Sequence, residues 1–203
     1  VRRVLGKVVR QIELQRESER QFAHLRALLN ENKDALRDHF LQVLLQGGSL
    51  TDEEIESRMR WYDLNLPDGE ITCAIIEPDG HGRYDDMIEE ERQLVLFSMR
   101  NIAWEVLGEM RTCACFICGD RQIALILCKS EEMSVSAVCE DIVSSIDRYL
   151  QQPVSIGIGS RVARKSEIYI SFLDARVALK YGASMGPHTI ISIEDIHTIR
   201  AEE

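Results

Sequence analysis

Pro153-Val-Ser-Ile-Gly-Ile-Gly-Ser160 begins the part of the sequence that decides the fold. It is a short apolar run that ends in two glycines, which is typical of a buried strand. A run of helical character follows and closes with Asp174-Ala-Arg-Val-Ala-Leu-Lys-Tyr181, and His188-Thr-Ile-Ile-Ser-Ile-Glu-Asp-Ile196 contains a second apolar run. The order strand, helix, strand indicates an α/β or α+β domain.

The same alternation of elements continues toward the N-terminus. Two apolar runs flank Gly119-Asp120, a turn sequence that predicts a β-hairpin with antiparallel strands. Strands are predicted at residues 71–77, 112–118, 121–128, 154–158 and 189–193, and helices at 87–109, 134–150 and 165–181. We therefore predict an α+β fold, an α/β sandwich in which helices flank a mixed central sheet of about five strands.

Residues 1–46 are rich in helix formers and predict a long N-terminal helix. Its apolar residues recur at the spacing of a coiled-coil seam, which breaks near Gln15 and resumes later. The seam residues are Val1, Leu5, Val8, Ile12, Phe22 and Leu29. We expect residues 1–32 to form a coiled-coil linker that joins two copies of the chain. The alternative is one amphipathic helix that packs on its own domain.

The globular part is predicted at residues 33–203, with a helical lead-in at 33–68. Within that lead-in, Thr51-Asp-Glu-Glu54 has the pattern of a capping box, so a short helix is expected to begin there. Gly47-Gly48 is expected to end the helix before it.

Composition limits the classes of function. The net charge of −10 argues against a nucleic-acid-binding surface on the bulk of the chain. No apolar run approaches the roughly 18–20 residues that span a bilayer, and the charged start argues against a secretory signal. We expect a cytoplasmic protein without a membrane partner, whose six cysteines are reduced. Because the sequence begins at Val1, we also expect it to be part of a longer protein.

Several motifs suggest chemistry that the residues around them do not support. Cys113, Cys115 and Cys118 cannot all face one metal ion from a single strand, so core packing is the interpretation and no metal is expected. The segment around Gly157 and Gly159 lacks the lysine of a phosphate-binding loop, so the two glycines indicate close approach of another backbone instead. The acidic run of Asp85, Asp86, Glu89, Glu90 and Glu91 is expected to lie at the start of a helix on a solvated face.

The hairpin resembles the signature hairpin of GGDEF domains, the diguanylate cyclases. In that family the turn reads Gly-Gly-Asp-Glu-Phe, and here it reads Cys118-Gly-Asp-Arg-Gln122. Gly119 and Asp120 match, while Arg121 stands where the family has a glutamate that helps to hold the divalent metal. The resemblance implies a second metal carboxylate near Glu77 or Asp79. A positive charge at a cation site opposes metal binding. We therefore expect vestigial cyclase-site positions, no cofactor and no catalytic residue.

The order of the motifs along the chain is similar to the central, degenerate GGDEF-like region of response regulators of the YesN type. The closing segment carries the resemblance through Ser171-Phe172, Ala178-Leu179 and Ile193-Glu-Asp-Ile196. The resemblance implies a non-catalytic regulatory and dimerisation domain in bacterial transcription regulation. A receiver domain would precede it on the same polypeptide and an AraC-type helix-turn-helix would follow, with DNA bound only through the latter. The alternatives are a small-molecule, nucleotide-like sensor that uses Arg121 as an anion contact, and a residual diguanylate cyclase.

Overall fold

The computed structural model describes residues 33–48, 50–67, 69–79, 83–108, 113–128 and 134–202. The chain divides into two compact units, Val1–His39 and Phe40–Glu203, and the fold described here is that of the second. The seam residues predicted for a coiled coil, from Val1 to Leu29, lie outside the described residues. The prediction of a coiled-coil linker at 1–32 therefore stays a prediction.

Helices α1 (Lys33–Leu45) and α2 (Asp52–Trp61) form the lead-in to the sheet. Helix α1 ends before Gly47, whose φ of 70° suits glycine. The predicted capping box at the start of α2 is confirmed. The Thr51 hydroxyl accepts from the backbone N–H of Glu54 at 3.3 Å, and the Glu54 carboxylate accepts from the backbone N–H of Thr51 at 2.9 Å.

Five strands form one mixed sheet in the order β2-β3-β1-β4-β5. All pairs are antiparallel except β4 and β5, which are parallel. The predicted mixed sheet of about five strands is therefore confirmed. The strands are β1 (Ile71–Pro78), β2 (Cys113–Ile117), β3 (Ile123–Cys128), β4 (Val154–Val162) and β5 (Ile190–Ser192).

Helices cover both faces of the sheet. One face packs against α1, α2 and α6 (Ile168–Gly182), and the other packs against α4 (Glu89–Leu107) and α5 (Val135–Leu150). This burial explains why β1 is apolar without alternation, since both of its faces lie in the core. The other helices of the described residues are α3 (Arg83–Asp86) and α7 (Ile193–Glu202).

Three boundaries differ from the sequence-based expectations. Strand β4 does not end at the glycines but continues to Val162, and α6 follows a 3-10 turn at Lys165–Glu167. The acidic run is divided between α3 and α4 rather than lying on one helix. Strand β5 ends at Ser192, because a cap begins α7 there. The Ser192 hydroxyl accepts from the backbone N–H of Glu194, and Asp195 accepts from that of Ser192.

The two glycines of β4 let α6 pack directly on the strand backbone, a packing that we call the glycine contact. A Cβ atom at Gly159 would lie 1.8 Å from the Ser171 carbonyl oxygen. One at Gly157 would lie 2.2 Å from the Ala175 carbonyl oxygen. Neither obstacle is a side chain that could rotate away. The interpretation of these glycines as sites of close backbone approach is confirmed.

A buried hydroxyl reinforces this packing. Ser171 is fully buried on α6, and its hydroxyl donates to the carbonyl oxygen of Ser160 on β4 at 2.5 Å. The Ser171 hydroxyl oxygen also accepts from the backbone N–H of Cys73 on β1, at 2.8 Å. One serine therefore connects a helix to two strands and satisfies polar groups that water cannot reach.

No helix among the described residues combines the length and the apolar character needed to cross a bilayer.

Candidate functional site

The resemblance places the candidate site at the end of β1, beside the turn between β2 and β3. The antiparallel register of β1 and β3 pairs Ile76 with Ile123. Glu77 and Gln122, the next residues outward on the two strands, therefore meet at the edge of the sheet. The turn is closed by a hydrogen bond from the backbone N–H of Cys118 to the carbonyl oxygen of Gln122, at 2.9 Å.

Arg121 projects from this turn into a group of acceptors. Its Nη1 donates to Oδ1 of Asp85 at 3.2 Å, and its Nη2 donates to the carbonyl oxygen of Pro78 at 3.0 Å. Its Nε lies 3.5 Å from Oε1 of Glu77. We call Arg121, Glu77, Asp85 and Gln122 the arginine cluster. The guanidinium is held from three sides by β1 and α3.

The ring of Tyr84 completes the surroundings of the guanidinium. The guanidinium carbon Cζ of Arg121 lies 5.4 Å from the centroid of the Tyr84 ring, at the distance of a cation–π contact. Burial raises the pKa of Tyr84 above its ordinary value, so this ring is neutral at physiological pH. The favourable contact is therefore between a cation and a neutral aromatic face.

Glu77 is committed to the hairpin through both carboxylate oxygens. Besides the contact with Arg121, its Oε2 accepts from Nε2 of Gln122 at 2.5 Å. A divalent cation on Glu77 would have to approach the guanidinium of Arg121 and would be repelled by it. The residues present do not fit the divalent metal that the family resemblance implies.

Both carboxylate oxygens of Asp79 are also engaged, but their partners lie on the other side of β1 from the hairpin, toward β4 and β5. Its Oδ1 accepts from the hydroxyl of Ser155 on β4 at 2.5 Å, and its Oδ2 accepts from the backbone N–H of His188 at 2.9 Å. His188 has a φ of 58°, which is uncommon for a residue with a side chain. The Asp79 carboxylate therefore fixes a strained backbone position just before β5.

Gly119 and Asp120 lie at the exposed tip of the turn. A Cβ atom built on Gly119 would meet nothing within 4 Å, so no close packing requires glycine there. The five positions that the sequence predicts to be a vestigial cyclase site therefore occupy three different environments. Glu77 and Arg121 lie in the arginine cluster, Asp79 lies in the link to β4 and β5, and Gly119 with Asp120 faces solvent.

A cleft of about 380 Å³ opens beside these residues. Helix α6 forms its other wall and contributes Arg176 and Lys180, both exposed. Neither has a carboxylate within ion-pair distance in the ranges that the structure describes. Neither residue was predicted from the sequence as part of a site, and neither were Gln122 and Ser155. The available signal was the spacing of four between Arg176 and Lys180, which places both on one side of a helix.

The cysteines are packed as the sequence analysis expected. Cys113 and Cys115 face the core under α4 and α5, while Cys118 contacts the core on the other face. Burial raises the pKa of Cys118 to about 12, which keeps it a neutral thiol. Over the described ranges, no group of three or more His, Cys, Asp or Glu side chains is arranged to hold a metal ion.

Comparisons with solved structures show the same fold. The chain is similar to the diguanylate cyclase SiaD of Pseudomonas aeruginosa, solved in complex with its activator SiaC. That match has a TM-score of 0.51 and 15% identity, and it covers 92% of this chain and 77% of that one. A match to the active GGEEF domain of a diguanylate cyclase from Vibrio cholerae has a TM-score of 0.49 and 14% identity, covering 70% and 89% of the two chains.

Among curated proteins, no sequence matches the chain significantly. The sequence model of the GGDEF-like domain matches residues 46–181, which include the whole sheet except β5 and both walls of the cleft. That match covers more than half of the chain, and the hairpin and the glycine contact both lie inside it. The chain therefore belongs to the GGDEF-like domain family.

Proposed function

We propose that this chain is a non-catalytic regulatory and dimerisation domain of a bacterial DNA-binding response regulator. In this proposal it couples a receiver domain to an AraC-type helix-turn-helix on the same polypeptide, in the cytoplasm. Membership of the GGDEF-like family supports the regulatory role, and the chemistry of the hairpin supports the absence of catalysis.

The observation that carries the proposal is the position of the Arg121 guanidinium. Cyclisation of a nucleoside triphosphate requires a cation that neutralises the phosphates and accepts oxygen ligands. A guanidinium donates hydrogen bonds but has no coordination site to offer, and here its donors already face Glu77, Asp85 and Pro78. The Arg121 guanidinium therefore pairs with carboxylates but cannot replace the metal ion in catalysis.

The direct test is incubation of the purified chain with GTP and Mg²⁺ or Mn²⁺, with product measured by chromatography. We expect no cyclic dinucleotide, while an active GGEEF domain run in parallel supplies the positive control. Formation of product by this chain would overturn the non-catalytic assignment and establish the residual cyclase instead.

Dimerisation is proposed to occur through the N-terminal helix. In such a regulator, a change in the pairing of the helices would alter the spacing of two DNA-binding domains. Glutamate at two seam positions, Val8→Glu with Ile12→Glu, is expected to convert a dimer to a monomer in sedimentation velocity. Gln11→Glu adds a charge off the seam and serves as the matched control. Equal sedimentation of both variants and the parent would contradict dimerisation through the seam.

A small-molecule sensor is the second candidate. The cleft beside the arginine cluster favours it, because its volume lies in the range of about 300–1,000 Å³ that is usual for small-ligand sites. The cleft is also lined by Arg176 and Lys180, which could contact an anion. The sequence predicted the anion contact at Arg121, but Nη1 and Nη2 of Arg121 instead donate to Asp85 and to the Pro78 carbonyl.

A further inference from the structure

The cleft is lined by acidic residues whose oxygens are engaged within the protein and by basic residues that have no carboxylate partner in the part of the chain that the structure describes. Glu77 is paired with Arg121 and Gln122, and Asp79 accepts from Ser155 and from the backbone N–H of His188. Hydrogen bonds from neutral donors leave the negative charge of Asp79 in place, but they engage both of its oxygens within the protein. On the acidic wall, the charge of Glu77 is therefore offset by Arg121, and the oxygens of Asp79 are engaged within the protein.

The opposite wall is positive. Arg176 and Lys180 lie one helical turn apart on α6, so their side chains leave the helix on the same side. Lys180 lies in the last turn, where a cation also complements the helix dipole. Arg176 lies further from the helix end, so the dipole does not account for it. Leu179 and Pro78 add an apolar part to the lining.

We propose that this cleft binds a small organic phosphate without a metal ion, through Arg176 and Lys180. An arginine presents a planar fork of donors that matches phosphate oxygens, and a neighbouring ammonium adds a second positive charge. The apolar lining would receive the organic part of the ligand. This inference rests on the second candidate function and replaces the metal-dependent chemistry of the fold with direct contacts from α6.

Isothermal titration calorimetry of the full chain in EDTA tests the proposal. The probes are GMP, inorganic pyrophosphate, inorganic phosphate and citrate. We expect GMP to bind more tightly than inorganic phosphate because it also uses the apolar lining, and we expect citrate to bind weakest. The affinity for GMP should not increase when Mg²⁺ replaces EDTA.

The decisive variant is Arg176→Ala with Lys180→Ala, which should weaken GMP binding by about a hundredfold, roughly tenfold for each charge-assisted contact. Arg161→Ala is the matched control, because Arg161 is paired with Glu194 outside the cleft, and its affinity for GMP should equal that of the parent. Circular dichroism verifies that each variant is folded. Both substituted positions are exposed on α6, so folding should be unaffected.

The proposal would be overturned by the absence of binding of any phosphate at millimolar concentration, by binding that requires Mg²⁺, or by equal binding of GMP by the double variant and the parent. Binding of citrate alone would also overturn it, since the ligand would then be a carboxylate. None of these binding results bears on whether the chain forms a cyclic dinucleotide from GTP. Failure here is therefore distinguishable from failure of the non-catalytic assignment.

Discussion

At the glycine contact two backbones touch, whereas at the arginine cluster side chains of opposite charge touch. Both regions resemble nucleotide-binding motifs when only the sequence is considered. In the first, Gly157 and Gly159 are required because α6 leaves no room for a methyl group. In the second, Gly119 has open space around it and the contacts are made by long polar side chains. The same residue type is thus a packing requirement in one region and a replaceable turn residue in the other.

The largest expected effect comes from adding a methyl group at the glycine contact. Gly159→Ala should destabilise the domain by about 3 kcal/mol or more, because the obstacle is the Ser171 carbonyl and only a backbone shift can relieve the overlap. The free energy of unfolding in urea, followed by circular dichroism, measures the change. Gly119→Ala is the control in the other region and should stay within about 0.5 kcal/mol of the parent. Equal stability of the two variants would remove the distinction between the regions.

A smaller effect is expected from the hydroxyl that supports the glycine contact. Ser171→Ala leaves the Cys73 N–H and the Ser160 carbonyl without this partner inside the core, at a cost of about 1–3 kcal/mol. The same urea measurement applies. Ser184→Ala is the control, since that exposed hydroxyl bonds only to the Tyr181 carbonyl and its loss should cost far less. A loss for Ser171→Ala no larger than that of the control would show that packing alone maintains the contact.

The arginine cluster should contribute less to stability than either of these. The side chains of Arg121 and Asp85 are 37% and 43% exposed, so their ion pair is screened by solvent. We expect Arg121→Ala to cost about 1 kcal/mol, and a double-mutant cycle with Asp85→Asn to give a coupling of about 0.5 kcal/mol. The coupling should decrease in high salt. A loss as large as that of Gly159→Ala would instead assign the cluster a structural role equal to that of the glycine contact.

The smallest effect on stability concerns the protonation of the thiols. Burial raises the pKa of both Cys73 and Cys118 to about 12. Because folding raises these pKa values above the ordinary 9.0, their contribution to stability is fully present below that value and is lost as pH rises toward 12. Stability should therefore not change through these groups between about pH 6 and 8.

Alkylation by iodoacetamide near pH 8 compares the two regions directly. Cys118 is half-buried at the hairpin, and Cys73 is fully buried under α6. Mass spectrometry should show Cys118 reacting roughly tenfold faster, because the hairpin opens locally at lower free energy than the glycine contact. Arg121→Ala should accelerate only Cys118. Modification of Cys73 at the same rate as Cys118 would contradict separate local opening.

The same contrast explains what could be predicted from the sequence. The apolar runs, the Gly-Asp turn and the capping box depend on neighbouring residues. They gave the order of the five strands and of α4, α5 and α6 correctly, whereas α3 and α7 were not predicted. The close approach at Gly157 and Gly159 was also predicted, because glycines in a strand have few other uses. The cap at Ser192 and Asp195 is equally local, but an apolar run extending into Ile193 concealed it.

The partners within the arginine cluster could not be predicted in this way. Arg121 meets Glu77 and Asp85 only because the sheet brings β1, the hairpin and α3 together. Asp85 was assigned to a solvated helix start, since its neighbours in sequence are acidic. The residues that line the cleft from α6 are likewise distant in sequence from the hairpin, and their joint position follows from the packing of α6 on β4.

The position of β1 at the centre of the sheet also determines when the domain can fold. Ile71 pairs with Cys128 on one side and with Val162 on the other, so β1 cannot be fully paired until both β3 and β4 have been synthesised. Its six residues from Ile71 to Ile76 are all buried in the finished sheet. Contacts so far apart in sequence slow folding, and an unpaired apolar strand is prone to aggregation. We therefore expect β1 to be most prone to aggregation before β4 has been synthesised.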